Sequence, residues 1–165
     1  MLFPTHLAAA WLLGRRLHLP VVATLAGAAL PDAVDKPLAA AGVTDLYHSV
    51  AHSGLVFGAL AVVGGVAWVA GHADRRALAV GVGWGSHLAL DAAGLVANGF
   101  AGNALFLLWP LAGPTDPRGL APVAFAVQYV GTPGFYAELV VWALVTAALI
   151  RGRSTTPTDE PAHSR

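Results

Sequence analysis

No cysteine occurs in the 165 residues, which excludes disulfides and thiolate metal ligands. Charge is almost as scarce. Asp, Glu, Lys and Arg make up 11% of the chain, against about 25% in a soluble globular domain. So small a polar complement cannot cover a water-facing globule of this size. Net charge is zero, so no basic footprint points to nucleic acid. The N-terminus lacks a basic n-region and a cleavage site, and Met1 to Leu13 reads as the start of a mature chain. There is no fixed-period repeat, phosphate-binding loop, nucleophile elbow or Ser-His-Asp order.

What is present is apolar. Hydrophobic residues make up 56% of the sequence, and the mean hydropathy is +0.65. The charges gather in short clusters separated by long uncharged stretches, the pattern of bilayer spans. Five apolar segments stand out: His6 to Leu17, Val21 to Leu30, Ser53 to Ala70, Ala77 to Val96 and Phe135 to Ile150. The first two fall short of the ~20 residues of a full span and suit a helical hairpin or partial spans. A Gly- and Pro-rich stretch from Asn98 to Gly134 contains two apolar pieces, Leu105 to Leu111 and Leu120 to Val130, that suit interfacial helices or a re-entrant segment. The expected fold is all-α, a polytopic membrane bundle of four to five apolar helices over residues 1–150. A polar, disordered tail follows over 151–165.

Arg15 and Arg16, Arg75 and Arg76, and Arg151 and Arg153 fall at alternate helix ends. By the positive-inside rule that side is cytoplasmic, and the chain is expected to be a multi-pass protein of the cell (inner) membrane. The opposite ends then carry His6, Asp32, Asp35, His48, His52 and Glu138, with His87 and Asp91 leaning the same way.

These polar groups carry the chemistry, because ionisable side chains inside spans are costly and mark function. His87 and Asp91 are four residues apart, so they share a helix face with Cβ atoms ~5–6 Å apart. They can bind one cation together, or the carboxylate can orient the imidazole. His48 and His52 have the same spacing if a helix begins before His48, while Ser49 or Ser53 can serve as a cap. Asp32 follows the second apolar segment directly. Asp35 is either a further ligand or a partner of Lys36, and both suit turn chemistry beside Pro31 and Pro37. His6 opens the first helix, with Thr5 as its candidate cap. Glu138 is a further candidate ligand or base, or a side chain that snorkels to the interface. His18, His72 and His163 read as background.

Imidazoles and carboxylates without thiolate suit a divalent metal, Zn²⁺ first, with Mn²⁺ or Fe²⁺ as alternatives. Such a site can deliver hydroxide at neutral pH, with Asp32 or Asp91 taking the proton. The partners expected are the lipid bilayer and a lipid-borne substrate. A transporter or channel that uses the His and Asp residues as a proton or metal-ion path is the alternative, and a non-catalytic scaffold locked by the polar cluster is a third reading.

The same residues carry a family resemblance. His6, Leu30-Pro31-Asp32 with Asp35, His52-Ser53, Ser86-His87 with Asp91, and Leu107-Leu108-Trp109-Pro110-Leu111 occur in that order. The set resembles the small membrane-bound metal-dependent hydrolases whose bacterial members are described as LexA-regulated inner-membrane proteins. The resemblance implies a helical metal-binding protein with hydrolase activity, distantly similar to zinc-dependent phospholipase C.

Overall fold

The computed structural model describes residues 1–114 and 127–153. Every regular element among them is helical: α1 (Phe3–Arg16), α2 (Val21–Ala40), α3 (Gly54–Val69), α4 (Arg75–Ala97), a 3-10 helix (Ala101–Leu108) and α5 (Pro133–Arg153). The segment Leu120 to Val130 falls largely outside the described residues, and the tail from residue 154 does so entirely.

Local chemistry accounts for most of the ends. Pro4 sits in the first turn of α1, where its missing N–H costs nothing. Arg15 and Arg16 occupy the last turn, facing the negative end of the helix dipole. Ser53 caps α3 by accepting from the Val56 N–H, and Asp74 caps α4 through Arg76 and Ala77. Thr5 is not a cap as the sequence suggested. Leu2 holds that position with no side-chain bond, and the Thr5 hydroxyl reaches Glu138 instead.

Two further expectations give way. The second apolar segment does not stop at Pro31, because α2 runs on through Pro31 and Pro37 to Ala40. An interior proline costs about 3 kcal/mol. Downstream of Pro31, Asp35 accepts four hydrogen bonds from the 49–52 loop. Each bond to a charged group contributes about 1.5–3 kcal/mol, enough to hold the second half of α2 in place. His48 and His52 do not share a helix face either. Both precede α3 and stand in a non-helical loop.

α2 and α4 form the centre, with α1 packed on both, α5 against α1 and α4, and α3 on the flank of α4 beside the 3-10 helix. The α2–α4 crossing is close enough to require glycine. A Cβ on Gly27 would lie 2.0 Å from the Val80 carbonyl oxygen, and one on Gly83 would lie 2.0 Å from that of Thr24. Small residues at such contacts let backbones approach directly. At one end of the bundle, Arg75 donates to the His18 carbonyl at 2.7 Å, tying the α1–α2 turn to the start of α4.

Polar side chains share the interior with an apolar cluster of Ala51, Trp84, Leu88 and Phe106. The largest fully buried side chains are Phe106, His6, His52 and His87, and Thr5, Thr24 and Asp35 are also enclosed. Outside, Val22 is 81% exposed and Val69 88% exposed, and α3 buries none of its 16 residues. Among the described helices α5 alone is long and apolar enough to cross a membrane, over Pro133–Arg151. The expected four to five apolar spans are therefore not present in those terms. α1 and α3 are short, at 14 and 16 residues. α2 carries Asp32, Asp35 and Lys36, and α4 is diluted by glycines, Ser86, His87 and Asp91.

Candidate metal centre

Four pieces of chain converge at the bundle end opposite Arg75. The first turn of α1 brings His6, and the second half of α2 brings Asp32 and Asp35. The loop before α3 brings His48 and His52, and α4 brings His87 and Asp91. Asp91 is the hub. Its Oδ1 lies 3.0 Å from His6 Nε2, and its Oδ2 lies 3.2 Å from His87 Nε2 and 3.7 Å from both His48 Nε2 and His52 Nε2. Asp32 Oδ1 is 3.6 Å from His52 Nε2. Ligands on a tetrahedral Zn²⁺ with bonds of about 2.0–2.2 Å stand roughly 3.3–3.6 Å from one another, so these spacings suit a shared cation. Donor atoms within 4.8 Å of one another form three groups: His6, His87 and Asp91; Asp32, His52 and His87; and His48, His52 and Asp91. This buried His and Asp group could hold a metal ion.

The orientation of the rings strengthens the case. His52 Nδ1 lies 2.9 Å from Asp35 Oδ2. The carboxylate can only accept, so Nδ1 carries the proton, and in the neutral ring Nε2 presents a bare lone pair. His87 is set in the same way, its Nδ1 donating to the Ala28 carbonyl at 2.6 Å. Metal-ligating histidines are held by this kind of outer contact. The inward nitrogens of His52 and His87, and both nitrogens of His6, are buried and make no hydrogen bond. His6 Nε2 is near Asp91 Oδ1 but outside the angular range of a hydrogen bond. Leaving a buried acceptor unpaired costs about 1–3 kcal/mol, and a cation would pair with the lone pairs that His52 and His87 turn inward and with one nitrogen of His6. The α-amino group of Met1 also reaches Asp91 Oδ1, at 3.2 Å.

Burial pushes the His52 imidazole below its ordinary pKa, and the Asp35 hydrogen bond opposes that shift without cancelling it. The ring is thus kept neutral, the form that binds a metal. His6 and His87 stack with ring centroids 3.9 Å apart, and His48 meets His52 edge-on at 4.4 Å.

Asp35 takes a different place from either alternative drawn from the sequence. Lys36 pairs with Asp32 at 2.7 Å, while Asp35 is fully buried and spends its acceptors on the 49–52 loop and the His52 ring. Glu138 is buried away from the donor groups. It accepts from the Leu2 N–H, from Thr5 at 2.9 Å and from Tyr129 at 2.8 Å, which fastens the head of α1 to α5. Burial, then the Glu138 carboxylate, push the Tyr129 phenol upward, so it remains a donor.

Several contributors had no signal in the sequence. Ala28 acts through a backbone carbonyl, which any residue supplies. Phe106 packs 5.2 Å from the His48 ring and 6.1 Å from that of His52. Trp84 donates to the Ala51 carbonyl at 2.7 Å, and Ser53, which the sequence marked only as a cap and a motif residue, donates to that of Trp109 at 2.6 Å. Both bonds pin the loop that carries the two histidines.

No family model, curated protein or solved structure matches the chain.

Proposed function

We propose that the chain is a membrane-embedded hydrolase that uses a divalent metal, Zn²⁺ first, to cleave an ester or phosphoester carried by a lipid. One observation carries the reading: buried, unpaired imidazole nitrogens of His6, His52 and His87 converge on the Asp91 carboxylate. The resemblance to membrane-bound metal-dependent hydrolases rests on the same side chains, together with Asp32.

A bound ion supplies Lewis acidity and hydroxide at neutral pH. The chain's own residues do the rest. Asp32 stands at the rim with its side chain 12% exposed, beside a shallow depression of about 300 Å³ lined also by Phe3, Ala29, Ala33 and Lys36. Of the two carboxylates Asp32 is the one at the rim, beside the depression, so the base is Asp32, with Lys36 on its Oδ2 at 2.7 Å. It accepts a proton from the attacking water and returns it to the departing alkoxide, giving acid and alcohol. Lys36, paired with Asp32 at 2.7 Å, would meet an anionic head group there, with Phe3 and the alanines against its apolar part.

The membrane setting is supported by the exposed apolar side chains and by α5. α2, α4 and α5 have 20, 23 and 21 residues. At 1.5 Å per residue these run about 30–35 Å, the thickness of a hydrocarbon core. The arginine-bearing end is the cytoplasmic one by the positive-inside rule, so the site faces the other side of the inner membrane.

Elemental analysis of detergent-purified protein tests the proposal, with wild type beside His87→Ala and Asp91→Ala. Bound divalent metal lost in both variants is expected, together with metal-dependent hydrolysis of phospholipid in mixed micelles. A wild type that takes up no Zn²⁺ or Mn²⁺ refutes the metal centre. Metal flux in proteoliposomes without hydrolysis replaces the hydrolase with a transporter.

A further inference from the structure

We infer that the arginine-bearing end of the bundle holds one anionic phospholipid. Its head-group phosphate lies between the α1–α2 turn and the start of α4, and an acyl chain lies along α3. This rests on the membrane setting proposed above and not on the metal centre, which occupies the opposite end.

Two turns build the polar half of the site. Between α1 and α2, the Leu19 N–H returns to the Gly14 carbonyl at 2.8 Å, with His18 at φ 53°. Gly71, at φ 75°, ends α3, and the His72 N–H closes that end on the Ala67 carbonyl at 2.8 Å. The Arg75 bond to the His18 carbonyl, at 2.7 Å, sets the two turns side by side. One contributes Arg15, Arg16 and His18, the other His72, Arg75 and Arg76, and all six are exposed.

These guanidiniums have no anion of their own. Arg75 gives one of its N–H donors to His18 and has others to offer. Among the described residues the side chains of Arg15, Arg16 and Arg76 make no hydrogen bond or ion pair, and Arg15 lies 5.0 Å over the Trp11 ring. The neighbouring carboxylate, Asp74, is turned to the backbone, where it accepts from the Arg76 and Ala77 N–H groups. Planar arginine forks match phosphate oxygens in pairs.

The apolar half begins at the same turn. Val62, Gly65, Val66, Val69 and Ala70 line an open depression of about 510 Å³ on the last turns of α3, and Ala70 directly precedes Gly71. A Cβ on Gly65 would meet nothing within 4 Å. Leu17 and Leu78, beside the arginines of either turn, are exposed as well. The apolar face alone fits any acyl chain, and the arginines alone fit any small anion. A molecule that satisfies both is a phospholipid with a negative head group, the kind that basic pockets between membrane helices take up.

The test is native mass spectrometry of the full chain, released from detergent micelles that carry phosphatidylglycerol or phosphatidylcholine with the same acyl chains. Wild type should retain one phosphatidylglycerol and prefer it to phosphatidylcholine. The double variant Arg16→Gln with Arg76→Gln breaks no side-chain bond among the described residues. It should weaken phosphatidylglycerol about 30-fold, because each basic group near an anionic head group contributes about fivefold. Gly65→Phe fills the depression and should weaken both lipids. Circular dichroism melts establish that the variants are folded, and the comparison of the two lipids in wild type needs no variant. Equal retention of the two lipids, or unchanged phosphatidylglycerol binding in the double variant, overturns the proposal and leaves the membrane setting standing. So does displacement of the lipid by inorganic phosphate, which makes the patch a site for the free anion. A dimer in lipid-free detergent that Gly65→Phe dissociates also overturns it, giving the depression to a second copy. A full chain that stays folded and monodisperse without detergent overturns the membrane setting and this proposal together.

Discussion

Changing Asp35 to Asn alters no shape and removes one charge, which isolates what that carboxylate does. Its Oδ2 accepts from the Ser49 N–H at 2.8 Å, the His52 N–H at 3.0 Å and the His52 ring at 2.9 Å, while Oδ1 accepts from the Ala51 N–H at 3.0 Å. An amide has a single acceptor. Placed at Oδ2 it keeps three donors, and its NH₂ then confronts the Ala51 N–H, donor against donor. The opposite flip loses three bonds to keep one, so the first orientation wins. The orphaned amide costs about 1–3 kcal/mol, and each remaining bond loses roughly 1 kcal/mol as its acceptor becomes neutral. The sum is about 4–6 kcal/mol. For a chain of this size each kcal/mol shifts the melting temperature by about 2–4 °C, so Asp35→Asn should melt at least ~8 °C lower without metal. On the proposed metal centre, Zn²⁺ affinity should fall about 10–100-fold, because the group that orients the His52 ring is weakened. The assays are a circular dichroism melt in detergent and calorimetric Zn²⁺ titration, with Asp45→Asn, on the exposed part of the same loop, as the control. A melt within 2 °C of wild type together with unchanged Zn²⁺ affinity would refute the role assigned to Asp35.

Gly83→Ala gains about 1 kcal/mol of helix propensity but sets a methyl 2.0 Å from the Thr24 carbonyl oxygen, a backbone atom that cannot rotate away. Overpacking at about 1–3 kcal/mol or more should dominate, so a lower melting temperature is expected, and a higher one contradicts the close crossing. Acidification gives a third test. The pKa of His52 is depressed in the folded chain, so its contribution is fully present above about pH 6.5, the unfolded value, and is lost as pH falls toward the lowered folded value. Metal-free protein should therefore destabilise, and loaded protein release metal, between neutrality and about pH 5. A melting temperature that climbs over that interval would contradict the buried neutral ring. Glu138→Gln should cost about 1–3 kcal/mol by weakening the three bonds that hold α1 to α5, yet retain Zn²⁺ within a few-fold; stoichiometric loss of metal would make Glu138 a ligand after all.

The legible part of this protein was the part written in side chains. The four-residue spacing of His87 and Asp91 placed both on one face of α4, and they lie 3.2 Å apart. The helical class followed from apolar runs broken by Pro, Gly and Arg, and the start of α3 from Ser53. What could not be read depends on contacts distant in sequence. α2 passes through Pro31 because Asp35 is anchored 14 to 17 residues away. His48 meets His52 without a helix between them because Trp84, Phe106 and the Trp109 carbonyl hold their loop. Asp32 and Asp35, three residues apart on one helix, have separate duties since one reaches Lys36 and the other is sealed inside.

The Gly27 and Gly83 crossing also bears on how this protein can vary. With main chain against main chain, the separation of the His and Asp side chains on α2 and α4 is a property of peptide geometry, insensitive to rotamer choice. A saturation mutagenesis library selected for metal retention should thus show two intolerant positions that have no chemistry of their own, ranking with the histidines. The outward valines of α3 should accept any apolar replacement. Homology searches weighted toward reactive residues would overlook those glycines, although they set the distance at which the reactive residues meet.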